Sequence, residues 1–271
     1  MSNYEDNKVD ELWEKSSQND VVKGLKEGKN FSEILTNEQI AEAFKDIPCC
    51  LGCSDGRIHD HRIGRAGMGI LAGVEETVAS IKAKVEAGEL PAAGFTITSH
   101  AGCGAAKIVC NKLIAEGKLP ANTNPDDLGI KFAEDVTASL WQRGIKAGYR
   151  HIEGGEMDEL HDERGVYLDG TGKLNIENVS DKSGERLFPR GFIFTDLSLD
   201  RDITIAELKA LCGIARGDHG FGHRFDKENP FYIFVSAKNQ KQYEDLKKIA
   251  DEATEGAEGV IQVKFLTIQS K

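Results

Sequence analysis

Two short motifs in this 271-residue chain hold side chains able to do chemistry. The first is Cys53-Ser54-Asp55-Gly56-Arg57 and the second is His100-Ala101-Gly102-Cys103-Gly104. Two thiolates and an imidazole form a donor set that zinc favours. Three protein ligands, Cys53, His100 and Cys103, leave one tetrahedral position open, the pattern of a catalytic rather than a structural site. Water in that position is acidified to a pKa of roughly 7. Asp55 and Arg57 extend this reading. A carboxylate beside thiolates is costly unless a cation holds it, and a guanidinium holds it bidentately. The free oxygen of Asp55 then accepts a hydrogen bond from the water and orients it, while Arg57 keeps Asp55 from swinging onto the metal. The blander alternatives are a buried thiol pair with a core histidine, a structural zinc completed by Asp55 or another cysteine, and an ordinary strand-end salt bridge.

Each motif follows a run expected to be a buried parallel strand, residues 46–53 and 93–99. Ligand sites in open α/β sheets gather at the carboxyl ends of strands, so segments distant in sequence meet there. Val74, Val78, Ile81 and Val85 mark one face of a helix between the two runs, and Ile108, Val109, Leu113 and Ile114 continue as a helix after the second. Leu128, Phe132, Val136 and Leu140 mark another, with Asp126 and Asp127 in its first turn, where carboxylates suit the helix dipole. His61 to Ala66 and Ala147 to Ile152 are further strand candidates. Val166–Leu168 and Lys173–Ile176, around Asp169-Gly-Thr-Gly172, read as a hairpin. From about residue 180 the alternation resumes, with strands at Gly191–Phe194, Phe231–Val235 and Val260–Ile268 and helices around Leu208 and Leu246.

The expected fold is α/β, a central mostly parallel sheet flanked by helices. Residues 1–45 form a helical arm, 46–179 the metal-binding core, and 180–271 an extension of the same sheet or a small second lobe. No internal repeat is visible in the sequence.

The net charge of −11, from 34 basic and 45 acidic residues, disfavours nucleic acid as a partner. Neither a membrane-spanning run nor a signal peptide is read, so a cytoplasmic setting is expected, with cysteines as thiols or metal ligands. Cys49, Cys50, Cys110 and Cys212 read as core packing. His59 and His61 read as loop histidines, with a proton shuttle as the sharper alternative. Asp218-His219-Gly-Phe-Gly-His223 reads as a solvated loop, with a second metal site or a lid as alternatives. Gly102 and Gly104 permit a tight turn, and amides at that helix start are candidates for binding an anionic ligand oxygen.

Together, Cys-x-Asp-x-Arg and His-x-x-Cys-Gly resemble the signature of the β-class carbonic anhydrases. Ile47 to Cys53 resembles that family's first strand. Arg62 to Gly67 resembles its arginine-asparagine-alanine-glycine stretch, with Arg65 in the asparagine's place, and Val166 to Leu174 its closing hairpin. The resemblance covers roughly residues 46–176. It implies Cys53, His100 and Cys103 as zinc ligands, Asp55 and Arg57 as the catalytic dyad, and reversible hydration of carbon dioxide to bicarbonate. It also implies a homodimer or larger homo-oligomer. Related folds hydrolyse carbonyl sulfide or carbon disulfide with the same ligands, and a non-catalytic zinc scaffold is the rival from another class.

Overall fold

The computed structural model describes residues 3–45, 48, 50–60, 62–217, 220–257 and 259–269, without the side chains of residues 3–6 and 178. Asp46, Ile47, Cys49, His61, Asp218 and His219, named above, lie outside the described residues.

The arm is helical, as its pattern predicts: α1 (Asn3–Ser17), α2 (Asp20–Lys26), α3 (Phe31–Ile34) and α4 (Asn37–Glu42). Its starts are capped by side chains. Asn19 accepts from Val21 and Val22 N–H groups, and Thr36 and Gln39 form a reciprocal capping box.

The first sheet contains β1 (Cys50–Cys53), β2 (Arg62–Arg65), β3 (Ala93–His100) and β4 (Lys146–Ile152). Its order is β2-β1-β3-β4 and every pairing is parallel. Parallel strands need crossovers, supplied by α5 (Val74–Glu86) between β2 and β3, and by α6 (Gly104–Ala115) and α7 (Pro125–Gln142) between β3 and β4. The start of α7 follows its sequence closely. Asn124 accepts from Asp126 N–H, Pro125 occupies the first turn, and Phe132, Ala133, Val136 and Leu140 are buried.

The second sheet contains β5 (Gly165–Asp169), β6 (Gly191–Thr195), β7 (Phe231–Ala237) and β8 (Ile261–Ile268), ordered β6-β5-β7-β8 and again parallel. Helix α8 (Arg201–Ala215) joins β6 to β7, and α9 (Gln240–Ala253) joins β7 to β8. The fold is therefore α/β, and the strands after residue 180 join β5 in a second parallel sheet rather than extending the first.

The hairpin expected at Val166–Ile176 does not form. Both edges of β5 are taken, by β6 and by β7, and Lys173–Ile176 forms no strand. The Asp169 carboxylate instead gathers the loop onto itself. It accepts from Thr171 N–H and Oγ1–H, Lys173 N–H, Leu174 N–H and, across the sheet, Ser236 Oγ–H. A glycine turn between apolar runs suits a hairpin, but residues 165–169 are buried throughout, as befits a central parallel strand.

β5, β6 and β7 are covered on both faces. Val166, Leu168, Phe192, Phe194, Ile233 and Val235 share one apolar core with Leu51, Ile63, Ile97 and Val136 of the first sheet and its helices. Tyr167, Ile193, Tyr232 and Phe234 pack on the opposite side against Val21, Leu25, Phe31 and Leu35. The arm thus packs on its own chain. Trp13 completes the attachment: the Arg164 guanidinium lies 3.4 Å from its ring centroid and donates to its carbonyl oxygen. No described helix is long and apolar enough to cross a membrane.

Candidate metal centre

The carboxyl ends of β1 and β3 are neighbours, and the two motifs meet there. Cys53 is the last residue of β1, His100 the last of β3, and Cys103 the N-cap of α6. Gly102 makes the connecting turn with φ +68°, a conformation glycine adopts without steric cost. Cys53, His100 and Cys103 are all buried, and their ligand atoms lie within 4.8 Å of one another.

Three features make this a site able to hold a metal ion. The two sulfurs are 3.9 Å apart, and two thiolates at ~2.3 Å from one tetrahedral metal would stand about 3.8 Å apart. His100 Nδ1 is 2.9 Å from Ala101 O and donates to it, so Nε2 presents its lone pair. That Nε2 is buried without a hydrogen-bond partner, which is costly unless something absent from the protein's own atoms satisfies it. The thiols are polarised accordingly. The hydrogen bond from Cys103, with help from His100, holds the Cys53 thiol well below its usual range against the cost of burial. The same contact and burial push Cys103 up. A metal cation bound here would hold both sulfurs as thiolates.

Asp55 stands beside these ligands with Oδ2 3.9 Å from His100 Nε2. Arg57 grips it bidentately, Nε to Oδ1 at 3.0 Å and Nη2 to Oδ2 at 2.7 Å, and Arg57 N–H adds a third bond to Oδ1. Burial alone would raise the Asp55 carboxyl, but Arg57, His161 and His100 hold it well below the usual carboxylate range. Oδ2 keeps a second lone pair for a further donor. The loop's shape comes from Arg62, whose buried guanidinium donates to the carbonyl oxygens of Cys53, Asp55, Ile58 and Asp60.

Other side chains at the site escaped the sequence reading. His161 Nδ1 lies 4.0 Å from Asp55 Oδ1 and 3.1 Å from Glu163 Oε1, and its ring stacks on Phe192. Asp55, His161 and Glu163 are close enough to form a second ion-binding group, but Arg57 already holds both Asp55 oxygens. Gly56 leaves room for this neighbour, since a Cβ there would lie 2.6 Å from Glu163 Cγ. Ile214 of α8 covers Gly104. A histidine and two acids at residues 161–163, just before a buried strand, was the available signal.

The remaining residues fall as follows. The Arg65 guanidinium is held in a buried network, Nε to Glu207 Oε2 and Nη1 to Glu76 Oε2, both at 3.0 Å. His59 bridges Asp158 and Glu177 on the surface. His223 is exposed, and neighbouring Phe221 is buried against Trp13. Cys50, Cys110 and Cys212 are buried, and burial pushes the Cys212 thiol up to about 12. Gly102 N–H is engaged by Asp126 Oδ1 at 2.9 Å, so it does not serve as a bicarbonate donor.

Comparison with protein-family models, with curated proteins and with solved structures finds no match. Any reading of this centre stands on its geometry and on the two motifs.

Proposed function

We propose that this chain is a zinc-dependent hydratase of the β-carbonic-anhydrase type that interconverts carbon dioxide and bicarbonate. The observation that carries this reading is the buried, unpartnered His100 Nε2 facing two sulfurs 3.9 Å apart, beside a carboxylate clamped by arginine. Two cysteines and a histidine are a zinc donor set, and three ligands leave one position open.

Zinc held there would supply Lewis acidity that brings a water molecule's pKa near neutrality. The protein's own groups do the rest. His100 Nδ1–H, fixed on Ala101 O, aims Nε2 into the centre. Asp55 Oδ2 accepts a hydrogen bond from the attacking water and turns its lone pair toward the substrate carbon. Arg57 holds Asp55 back, so the carboxylate orients the nucleophile without filling the open position. The clamp disfavours a non-catalytic scaffold, which would need Asp55 released from Arg57 to close the site.

Stopped-flow carbon dioxide hydration by zinc-loaded protein tests the proposal, with Cys103→Ser as control. Fast hydration in the parent chain, lost together with zinc in the variant, is the expected result. Sulfide release from carbonyl sulfide or carbon disulfide without hydration would keep the metal centre and replace the substrate.

A further inference from the structure

The two sheets repeat one plan. Each has four parallel strands in which the first two strands are adjacent and the third lies on the other side of the first, followed by the fourth. In each, one helix joins the second strand to the third, α5 in one case and α8 in the other. In each, the chain leaves the third strand through an N-cap residue that opens a helix, Cys103 for α6 and Asn239 for α9.

The match can be made residue by residue. If Cys103 and Asn239 are counterparts, counting back makes His100 the counterpart of Ser236 and Ile97 that of Ile233. Ile97 pairs with Leu51, and Ile233 with Val166. Leu51 pairs with Ile63, and Val166 with Phe192. Gly64 and Ile193 then become counterparts. Those two residues meet where the sheets touch: a Cβ on Gly64 would lie 1.8 Å from Ile193 O, and Ile193 N–H donates to Ser54 O at 3.0 Å. Contact between equivalent edges is what a two-fold relation between copies produces.

We infer that residues 165–268 are a second copy of the unit formed by residues 50–152, lacking its metal ligands and serving as its built-in partner. The ligand positions Cys53, His100 and Cys103 correspond to Leu168, Ser236 and Asn239. Ser54 corresponds to Asp169, whose carboxylate accepts from Ser236 Oγ–H at 2.9 Å and seals the place where the metal would lie. The second unit also builds the first unit's site. Ile214 covers Gly104 at the start of α6, Glu207 holds Arg65 on the strand beside Cys53, and Phe192 backs His161. The homo-oligomer that the motif resemblance implies is thereby met within one chain.

This inference rests on the ligand set proposed above, and two measurements separate their fates. The first is sedimentation velocity of the zinc-loaded full chain over a wide dilution range, with zinc measured in the sedimenting species. A 29.6 kDa species carrying one zinc per chain at the lowest concentration is expected. Zinc lost as a dimer dissociates would overturn the built-in partner, whereas a monomer that never binds zinc would overturn the ligand assignment instead. The second is the triple substitution Leu168→Cys, Ser236→His, Asn239→Cys. Zinc rising from one to two per chain is expected, and zinc staying at one, with the original site loaded and the chain folded, would overturn the residue correspondence.

Discussion

Asp55 has a carboxylate's usual freedom removed at both oxygens by one arginine two residues away. That restraint separates an orienting group from a fourth metal ligand, and it defines a substitution that divides binding from turnover. Asp55→Asn should retain full metal content, because none of the three ligand atoms changes. Its hydration rate should fall by about two orders of magnitude, the usual scale for losing one oriented proton acceptor. Metal analysis and stopped-flow rates on one preparation check this, and full activity in the variant would remove Asp55 from the mechanism. The Cys53, His100 and Cys103 cluster and the Asp55–Arg57 contact were legible in the sequence because their residues sit within a few positions of one another at two strand ends. His161 and Glu163 were not, since they reach Asp55 only after the chain has crossed the first sheet.

Helix α8 carries a second consequence. Glu207 is fully buried against Arg65, and burial pushes its carboxyl up to about 7 despite the guanidinium. The usual value is 4.5. The folded chain therefore binds this proton more tightly than the unfolded one. The stability involved is present below the unfolded value and lost as pH rises through the folded one. Between about pH 4.5 and 7 the metal-free protein should lose roughly 3 kcal/mol from this group. Glu207→Gln keeps an oxygen for Arg65 and cannot titrate, so urea unfolding across that window should show the pH dependence flattened. An unchanged profile would place the buried proton elsewhere. Most elements were legible, since β3, β6, β7 and the crossover helices follow continuous apolar runs and helical spacing. The Val166–Ile176 hairpin was misread because a glycine turn looks the same whether the next residues return along the strand or leave the sheet.

At the scale of the whole molecule, two sheets meet through β2 and β6 with no side chain between Gly64 and the Ile193 carbonyl. A methyl group there would press on backbone, which cannot rotate aside. Gly64→Ala should cost about 3 kcal/mol by overpacking, read as a lower urea midpoint, and should also weaken metal binding, since β2 flanks Cys53. An unaffected midpoint would mean that the sheets are not held at this point. The repeat itself was invisible in the sequence. Leu168, Ser236 and Asn239 share no chemistry with Cys53, His100 and Cys103, and the two copies agree in strand order rather than in residue type.

The central claim is that one zinc ion per chain, held by Cys53, His100 and Cys103, hydrates carbon dioxide. Titrating zinc into the metal-free chain while following hydration by stopped flow tests it most directly. The rate should rise in proportion to added zinc and level off at one equivalent per chain. Tight uptake of one equivalent with no gain in hydration would contradict the account.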